Sequence, residues 1–231
     1  MLQSSMMRNG TGIWRYRLPD SSKLKLDRRG LLTGGALAFA GAAFNPALAK
    51  PLTRPAVSAG QRVVSEGLLR RALAALNRHQ SDIVHKDMIG IADFAQPSSA
   101  SRFHLVDVQS GTTRSFLVAH GRGSDPQHKG WVERFSNEIG SNASSAGAYR
   151  TGDYYTGKHG RSLRLAGLEP GNSNAEVRAI VIHGAWYVSP DMVRDHGKLG
   201  RSEGCFAFSE NDLDSVLARL GPGRLLYADK V

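Results

Sequence analysis

The sequence is poor in cysteine and lacks long apolar runs. Its single cysteine, Cys205, excludes an intramolecular disulfide and any zinc cluster built from cysteines. No uninterrupted apolar run reaches the roughly 18 residues that a membrane-spanning helix needs, which excludes a multi-span membrane protein. The basic residues are scattered and form no stripe interleaved with aromatics, so we expect no nucleic-acid partner.

What is present suits one globular domain with a tail. The chain has 231 residues, of which 41% are hydrophobic and 22% are charged, an ordinary balance for a protein with a core. Its 26 glycines predict many turns.

Residues 1–49 have the features of an export signal. Arg28 and Arg29 precede a weakly apolar stretch, residues 31–44, and residues 47–49 form an A-x-A cleavage site. The paired arginines predict a twin-arginine-like signal peptide that is cleaved before Lys50. An uncleaved anchor helix is the alternative, although the apolar stretch is short for a bilayer.

The start of translation and the net charge bear on this prediction. Met1, Met6 or Met7 could be the first residue. Removal of residues 1–49 takes away seven basic and two acidic residues and lowers the net charge from +10 to about +5. We expect an exported protein of the periplasm or cell envelope, without a stable membrane span, whose oligomeric state the sequence leaves open.

We expect the exported part to divide into a linker, residues 50–64, and a folded domain, residues 65–231. Ser65 caps a predicted helix over residues 66–79. Its predicted apolar face consists of Leu69, Ala72, Leu73 and Leu76.

Most of the remaining pattern predicts a mainly β fold with a few flanking helices. A second helix is capped by Ser209 and ends at Gly221. Predicted strands cover residues 88–91, 103–108, 113–119, 178–183 and 224–227. Residues 109–112 form a predicted hairpin turn between the second and third of these strands. Residues 185–188 could extend the fourth strand, and residues 121–147 form a long loop.

The lone cysteine is the main functional clue. Cys205 follows a loop of glycine, serine and charged residues rather than an apolar run, which favours a reactive thiol over a buried one. Gly204 allows a close backbone approach, so the N–H groups of Gly204 and Cys205 can bind a developing oxyanion. Arg201 and Lys198 would favour the thiolate.

A thiol nucleophile needs a base, and His183 is the best of the eight histidines. It ends a predicted strand and precedes Cys205 by 22 residues. His196 is an alternative base, and His183, His196 and Cys205 could instead form a zinc centre. A papain-like protease is disfavoured, because the cysteine follows the histidine and does not begin a helix.

The motifs around these residues resemble the murein L,D-transpeptidase (YkuD-type) catalytic domain family, in a divergent branch. That family carries H-G followed by [S/T]-H-G-C, and here the matching segments are 182–184 and 202–205. Residues 144–149, 119–123 and 135–137 are also similar. Glu203 replaces the usual histidine, and residues 206–207 depart from the family's aliphatic residue and Arg or Asn.

The resemblance implies an L,D-transpeptidase-like β-sandwich or barrel. It implies Cys205 as nucleophile, His183 as general base and acid, Gly204 as oxyanion donor and Ser202 as loop support. Its substrate-binding candidates are Arg201, His120, Tyr149 and Gly184. The implied partners are peptidoglycan stem peptides, with no cofactor and no metal. Acyl transfer to an amine would give 3–3 cross-links, while water as acceptor would make an L,D-carboxypeptidase. The departures leave a non-catalytic peptidoglycan-binding module as a further alternative.

Overall fold

The computed structural model describes residues 64–231. The predicted signal peptide and nearly all of the predicted linker lie outside the described residues. No helix within the described range is long and apolar enough to cross a membrane.

The described chain contains three α-helices, a short 3₁₀ helix and eight strands, as predicted for a mainly β fold. The helices are α1 (Glu66–Arg78), α2 (Pro190–His196) and α3 (Glu210–Leu220), and the 3₁₀ helix covers Arg122–Ser124. The strands are β1 (Met88–Asp93), β2 (Phe103–Asp107), β3 (Thr113–Phe116), β4 (Gly147–Gly157), β5 (Gly160–Gly167), β6 (Val181–Gly184), β7 (Phe206–Phe208) and β8 (Leu225–Asp229).

All eight strands form one sheet in the order β3-β2-β1-β8-β4-β5-β6-β7. The pairs β1–β8 and β6–β7 are parallel, and the other pairs are antiparallel. Just after β3, the Ala119 N–H donates to the Ala207 carbonyl in β7 at 2.9 Å. The chain therefore joins the two outer strands of the sheet, which gives it a barrel-like closure.

Two helices cover opposite faces of the sheet. α3 packs Leu213, Val216, Leu217 and Leu220 into the cluster that contains Phe103, Phe206 and Phe208. α1 packs into the cluster that contains Ile89, Ile91 and Leu225. Alternate residues of the central strands point to the two faces, as the period of two in a strand requires.

The predicted apolar face of α1 was partly wrong. The buried residues are Leu68, Ala72, Ala75 and Leu76, while Leu73 is 38% exposed. This stripe keeps the helical spacing but is rotated relative to the predicted one, because the packing partners on the sheet, which no local pattern reveals, select the face. Ser65 accepts from the Leu68 N–H as the cap prediction requires.

A buried polar network lies beneath the segment that follows β3. The fully buried Arg102 donates to the Val118 carbonyl at 3.0 and 3.2 Å and to His120 Nδ1 at 2.6 Å. His120 Nε2 lies 3.4 Å from Asp125 Oδ2, and this carboxylate also accepts the Gly130 N–H at 2.7 Å. Because arginine can only donate, His120 carries its proton on Nε2 and is neutral. The network ties the chain after β3 to the core.

Two of the buried histidines, His104 and His120, contribute to the sensitivity of the fold to acid. Burial lowers the pKa of His104 to about 4. Burial and the Arg102 guanidinium lower the pKa of His120, although Asp125 opposes them. Below the ordinary pKa of about 6.5 the unfolded chain binds protons that these rings in the native state do not. Stability is therefore lost as the pH falls below about 6.5.

We expect the free energy of unfolding to fall by about 1.4 kcal/mol per pH unit for each of the two histidines between about pH 6 and pH 4. Urea titrations at several pH values measure this slope. His104→Asn should reduce the dependence of the unfolding free energy on pH by about 1.4 kcal/mol per pH unit. This reduction is expected whether or not the variant is less stable at pH 7.5. An unchanged slope in the variant would contradict the assignment.

Candidate active site

The two predicted catalytic residues lie on and just before two neighbouring parallel strands. The buried β-branched run Ile180–Ile182 leads into β6, and His183 follows it near the end of the strand. β6 pairs with β7 in the register Ile182 with Phe206, and Cys205 is the residue just before β7. This pairing brings Cys205 beside the beginning of β6, so the fold joins the two halves of the motif.

His183 is held as a neutral ring. Its imidazole is 2% exposed, and Nδ1 lies 2.8 Å from the Gly184 carbonyl oxygen. A carbonyl can only accept, so Nδ1 carries the proton and Nε2 keeps its lone pair. Burial lowers the pKa of His183, the Gly184 hydrogen bond opposes it, and the charges of His159 and Lys158 lower it further. The ring is therefore in the tautomer that a base requires.

Cys205 is partly exposed, and its sulfur is held by a backbone carbonyl. Sγ lies 3.5 Å from the Ala179 carbonyl oxygen, to which the thiol donates. Burial raises the pKa of the thiol, while Lys158 and Arg178 oppose this effect. The resting pair is therefore a neutral thiol and a neutral imidazole.

The raised pKa of the Cys205 thiol differs from the sequence-based expectation that Arg201 and Lys198 favour the thiolate. Arg201 donates to the Asp125 and Pro126 carbonyls, and Lys198 donates to the His128 carbonyl at 2.7 Å. Both cations are thus tied to backbone oxygens of another loop, and burial dominates the acidity of the sulfur.

Ser202 and Gly204 shape the turn that carries the cysteine. Ser202 Oγ donates to the Cys205 carbonyl at 2.7 Å and accepts from the Gly204 N–H at 3.2 Å. Gly204 has a φ of +118°, and a Cβ there would lie 2.8 Å from the Ala143 carbonyl oxygen. Only glycine fits this position. Because the Gly204 N–H is engaged by Ser202, it is less available to an oxyanion than the sequence suggested.

Further hydrogen bonds fix this turn to the rest of the fold. The Ser202 N–H donates to the His120 carbonyl at 2.9 Å. The Ser202 carbonyl accepts from the Arg122 N–H at 2.8 Å. Ser144 Oγ accepts from the Gly121 N–H at 3.0 Å and donates to the Gly204 carbonyl at 3.3 Å. The turn is therefore a rigid part of the structure.

The four predicted substrate-binding residues have different settings. His120 and Tyr149 are fully buried, and the Tyr149 hydroxyl donates to the Ser145 carbonyl at 2.8 Å. Gly184 is buried against Leu213 of α3, and its carbonyl orients His183. Arg201 faces the Asp125 loop. These placements favour supporting roles for all four residues.

Sequence reasoning missed three residues near the catalytic pair. His159 and Lys158 lie at the tip of the β4–β5 hairpin, and the His159 ring stacks on His183 with centroids 4.2 Å apart. The two flanking glycines at 157 and 160 were a usable hairpin signal. Arg178 donates to the Ser136 carbonyl at 2.7 Å, to Ser145 Oγ at 2.6 Å and to the Ala143 carbonyl. No local pattern identifies such distant acceptors.

The alternative zinc centre finds no ligand set in the described part of the chain. Within residues 64–231 no three His, Cys, Asp or Glu side chains are grouped to hold a metal ion. His196, the alternative base, is not in a loop but is the last residue of α2, where it is exposed.

The profile of the L,D-transpeptidase catalytic domain matches residues 61–228. No curated protein matches the chain.

Among solved structures, an L,D-transpeptidase from Mycobacterium smegmatis has 13% identity and a TM-score of 0.37, and the match covers 62% of this chain and 58% of that one. L,D-transpeptidase 3 from Mycobacterium tuberculosis, with a faropenem-derived adduct, has 12% identity and a TM-score of 0.39, with 62% and 60% covered. A Xylanimonas cellulosilytica L,D-transpeptidase has 15% identity and a TM-score of 0.35, with 68% of each chain covered.

The chain thus spans about three fifths of the length of the first two of these structures. The profile match alone extends over most of the described fold and includes His183, Ser202, Gly204 and Cys205. On that match, the chain belongs to the L,D-transpeptidase catalytic domain family.

Proposed function

We propose that this protein is a cysteine acyltransferase that acts on peptidoglycan stem peptides. Acyl transfer in peptidoglycan cross-linking is the general activity of its family. The observation that carries the proposal is the pairing of β6 with β7, which places Cys205 beside the strand that ends in a neutral, Nδ1-protonated His183. This pairing supports the proposal because covalent catalysis needs a nucleophile and a base on elements that the fold holds side by side.

The reaction begins with general-base catalysis, because neither group is charged at rest. His183 Nε2 takes the thiol proton as the sulfur attacks the carbonyl carbon of the third stem residue. The new C–S bond gives a tetrahedral intermediate. When it collapses, the C–N bond breaks, the imidazolium gives its proton to the departing D-Ala amine, and a thioester remains. An amine of a second stem then attacks the thioester, which releases the thiol and leaves a 3–3 cross-link.

The lowered pKa of His183 favours the second proton transfer, in which the imidazolium protonates the departing amine. A ring whose pKa is lowered by burial is a stronger acid once protonated, so it readily gives the proton to the departing amine. The backbone N–H of Cys205 is the oxyanion donor that we propose, because the Gly204 N–H is engaged by Ser202. Loss of one such donor costs about 100- to 1000-fold in rate in other enzymes.

We further propose that residues 1–49 direct the chain out of the cytoplasm to the cell envelope. The proposed substrate lies there. The paired Arg28–Arg29 and the Ala47–Ala49 cleavage site support this part of the proposal. N-terminal sequencing of the protein secreted by intact cells tests it, with Lys50 as the expected first residue. A chain that retains residues 1–49 in the cytoplasm would contradict export.

Removal of the nucleophile should abolish acylation. The native protein is incubated with a carbapenem, whose strained carbonyl acylates an activated thiol, and intact mass is recorded. We expect one adduct in the native protein and none in Cys205→Ala. His183→Ala should slow acylation by about 100- to 10,000-fold, because it removes the proton acceptor. His196→Ala is the matched control and should react at the native rate, whereas a large loss would make His196 the base.

Turnover distinguishes the acceptors. A tetrapeptide donor is supplied with and without an amine acceptor, and products are identified by mass. Cross-linked product supports the transferase, and hydrolysis in the presence of the amine supports an L,D-carboxypeptidase. Binding to intact sacculi without adduct or turnover would overturn the enzyme in favour of a binding module.

Arg178 should stabilise the attacking sulfur and the turn that carries it. Its guanidinium lies under Gly204 and reaches three acceptors in residues 136–145, and its charge acts on the thiol. Arg178→Met removes the charge and leaves those acceptors unpaired, so the pKa of the Cys205 thiol should rise and acylation should slow. Arg178→Lys keeps the charge without the forked geometry and should give a smaller rise in that pKa.

The pKa of the thiol is measured from the pH dependence of alkylation by iodoacetamide. Thermal unfolding of each variant separates a loss of charge from a loss of structure. Arg201→Met is the matched control, because that guanidinium donates to the Asp125 loop and should leave the thiol pKa unchanged. An equal thiol pKa in the native protein and both Arg178 variants would rule out the electrostatic role.

A further inference from the structure

The β4–β5 hairpin brings a second imidazole to the catalytic strand. Gly157 pairs with Gly160, so Lys158 and His159 form the two-residue turn, and Gly160 has a φ of +73°. The His159 ring lies on the His183 ring with centroids 4.2 Å apart and planes inclined by 21°. An exposed turn residue thus covers one face of a ring that is otherwise inside the fold.

The two contacts of His183 restrict different motions. The Nδ1–Gly184 hydrogen bond fixes which edge of the ring points to the backbone. The stack with His159 fixes the plane of the ring, because a parallel neighbour at this distance opposes rotation about χ2. Within residues 64–231, Nε2 is left without a protein hydrogen bond. A ring held at one edge and one face presents this nitrogen in one direction.

The turn that carries the cysteine does not supply such a contact. Glu203, which stands where the family motif has a histidine, pairs with Arg122 at 3.0 Å, and both side chains are largely exposed. The hairpin is therefore the element that brings an aromatic ring to His183.

We propose that His159 is a positioning residue that holds the plane of His183 during acyl transfer. The proposal rests on the acyltransferase function and adds a residue from outside the family motif. The charges of His159 and Lys158 at the hairpin tip also lower the pKa of His183. His183 therefore remains ready to accept the thiol proton in weakly acidic surroundings.

Several other charged or titratable groups surround His183. Lys158 shares the hairpin tip, and Arg164 of β5 pairs with Val181 at the start of β6. Cys205 and Glu203 belong to the turn before β7, and Glu210 of α3 packs near Gly184. Only Lys158 and His159 contribute charge effects to the pKa of His183, and both lower it. Removal of His159 should thus raise the pKa of His183.

The test compares His159→Ala with His159→Phe. Carbapenem acylation rates are measured by mass spectrometry from pH 4.5 to 8. In His159→Ala the ring loses the stack that fixes its plane, so the plateau rate at high pH should fall by about 10- to 100-fold. The acidic side of the pH–rate profile should move to higher pH. His159→Phe keeps a stacking ring without its charge, so the plateau should stay within about twofold of the native rate, while the acidic side of the profile still moves to higher pH. His85→Ala, an exposed histidine before β1, is the matched control and should change neither quantity.

A second measurement does not depend on activity. Imidazole NMR titration of the native protein and both variants gives the pKa and the tautomer of His183. We expect a higher His183 pKa in both variants and a loss of the fixed Nδ1–H tautomer in His159→Ala only. An unchanged His183 pKa in both variants, or a native plateau rate in His159→Ala, would overturn the positioning role. If the native protein formed no adduct, the acyltransferase function would fail, and the NMR titration would still decide whether His159 holds the ring.

Discussion

The parallel pairing of β6 with β7 is the constraint on which the candidate site depends. A parallel pair needs a long crossover, and here residues 185–205 leave the end of β6, form α2 and return to the start of β7. The crossover returns Cys205 to a place beside the strand that carries His183. A slip of one residue in the register would send alternate side chains to the wrong face of the sheet. The Ala119–Ala207 bridge and the bonds between residues 120–122 and Ser202 oppose such a slip.

Burial rather than net charge sets the electrostatics of the pair. Cations lie near the sulfur, yet the pKa of Cys205 is raised, and the pKa of His183 is lowered although a carbonyl accepts its proton. Both shifts favour the uncharged form, as a low-dielectric site requires. In the proposed mechanism, the proton therefore moves only when a substrate carbonyl accepts the sulfur.

Local patterns predicted the elements whose stabilisation is local. The α3 helix has its cap, its apolar stripe and its terminal glycine within the segment 209–221, and the β2–β3 hairpin has its turn residues between two β-rich runs. The β4–β5 hairpin was not predicted, because a bulge between Thr151 and Tyr154 interrupts its alternation. The seven-residue α2 was missed because two turns are too few for an apolar stripe.

The same division applies to the candidate site. The sequence predicts Cys205 and His183 as catalytic residues from residue types and spacing, and Ser202 from the family motif. The setting of Arg201 and the contact of His159 with His183 were not predicted, because they depend on how distant strands curve toward each other. The prediction that nearby cations would acidify the thiol failed for this reason, since proximity in sequence did not become proximity in space.

If the chain is exported as proposed, the protonated state of Cys205 also affects its fate in an oxidising compartment. Peroxides and disulfides react with thiolates, so a thiol that donates to the Ala179 carbonyl and has a raised pKa is a slow target for both. The chain has no second cysteine that could resolve a sulfenic acid as an internal disulfide. Keeping the sulfur protonated until a substrate arrives thus preserves a group that the polypeptide could not repair by itself.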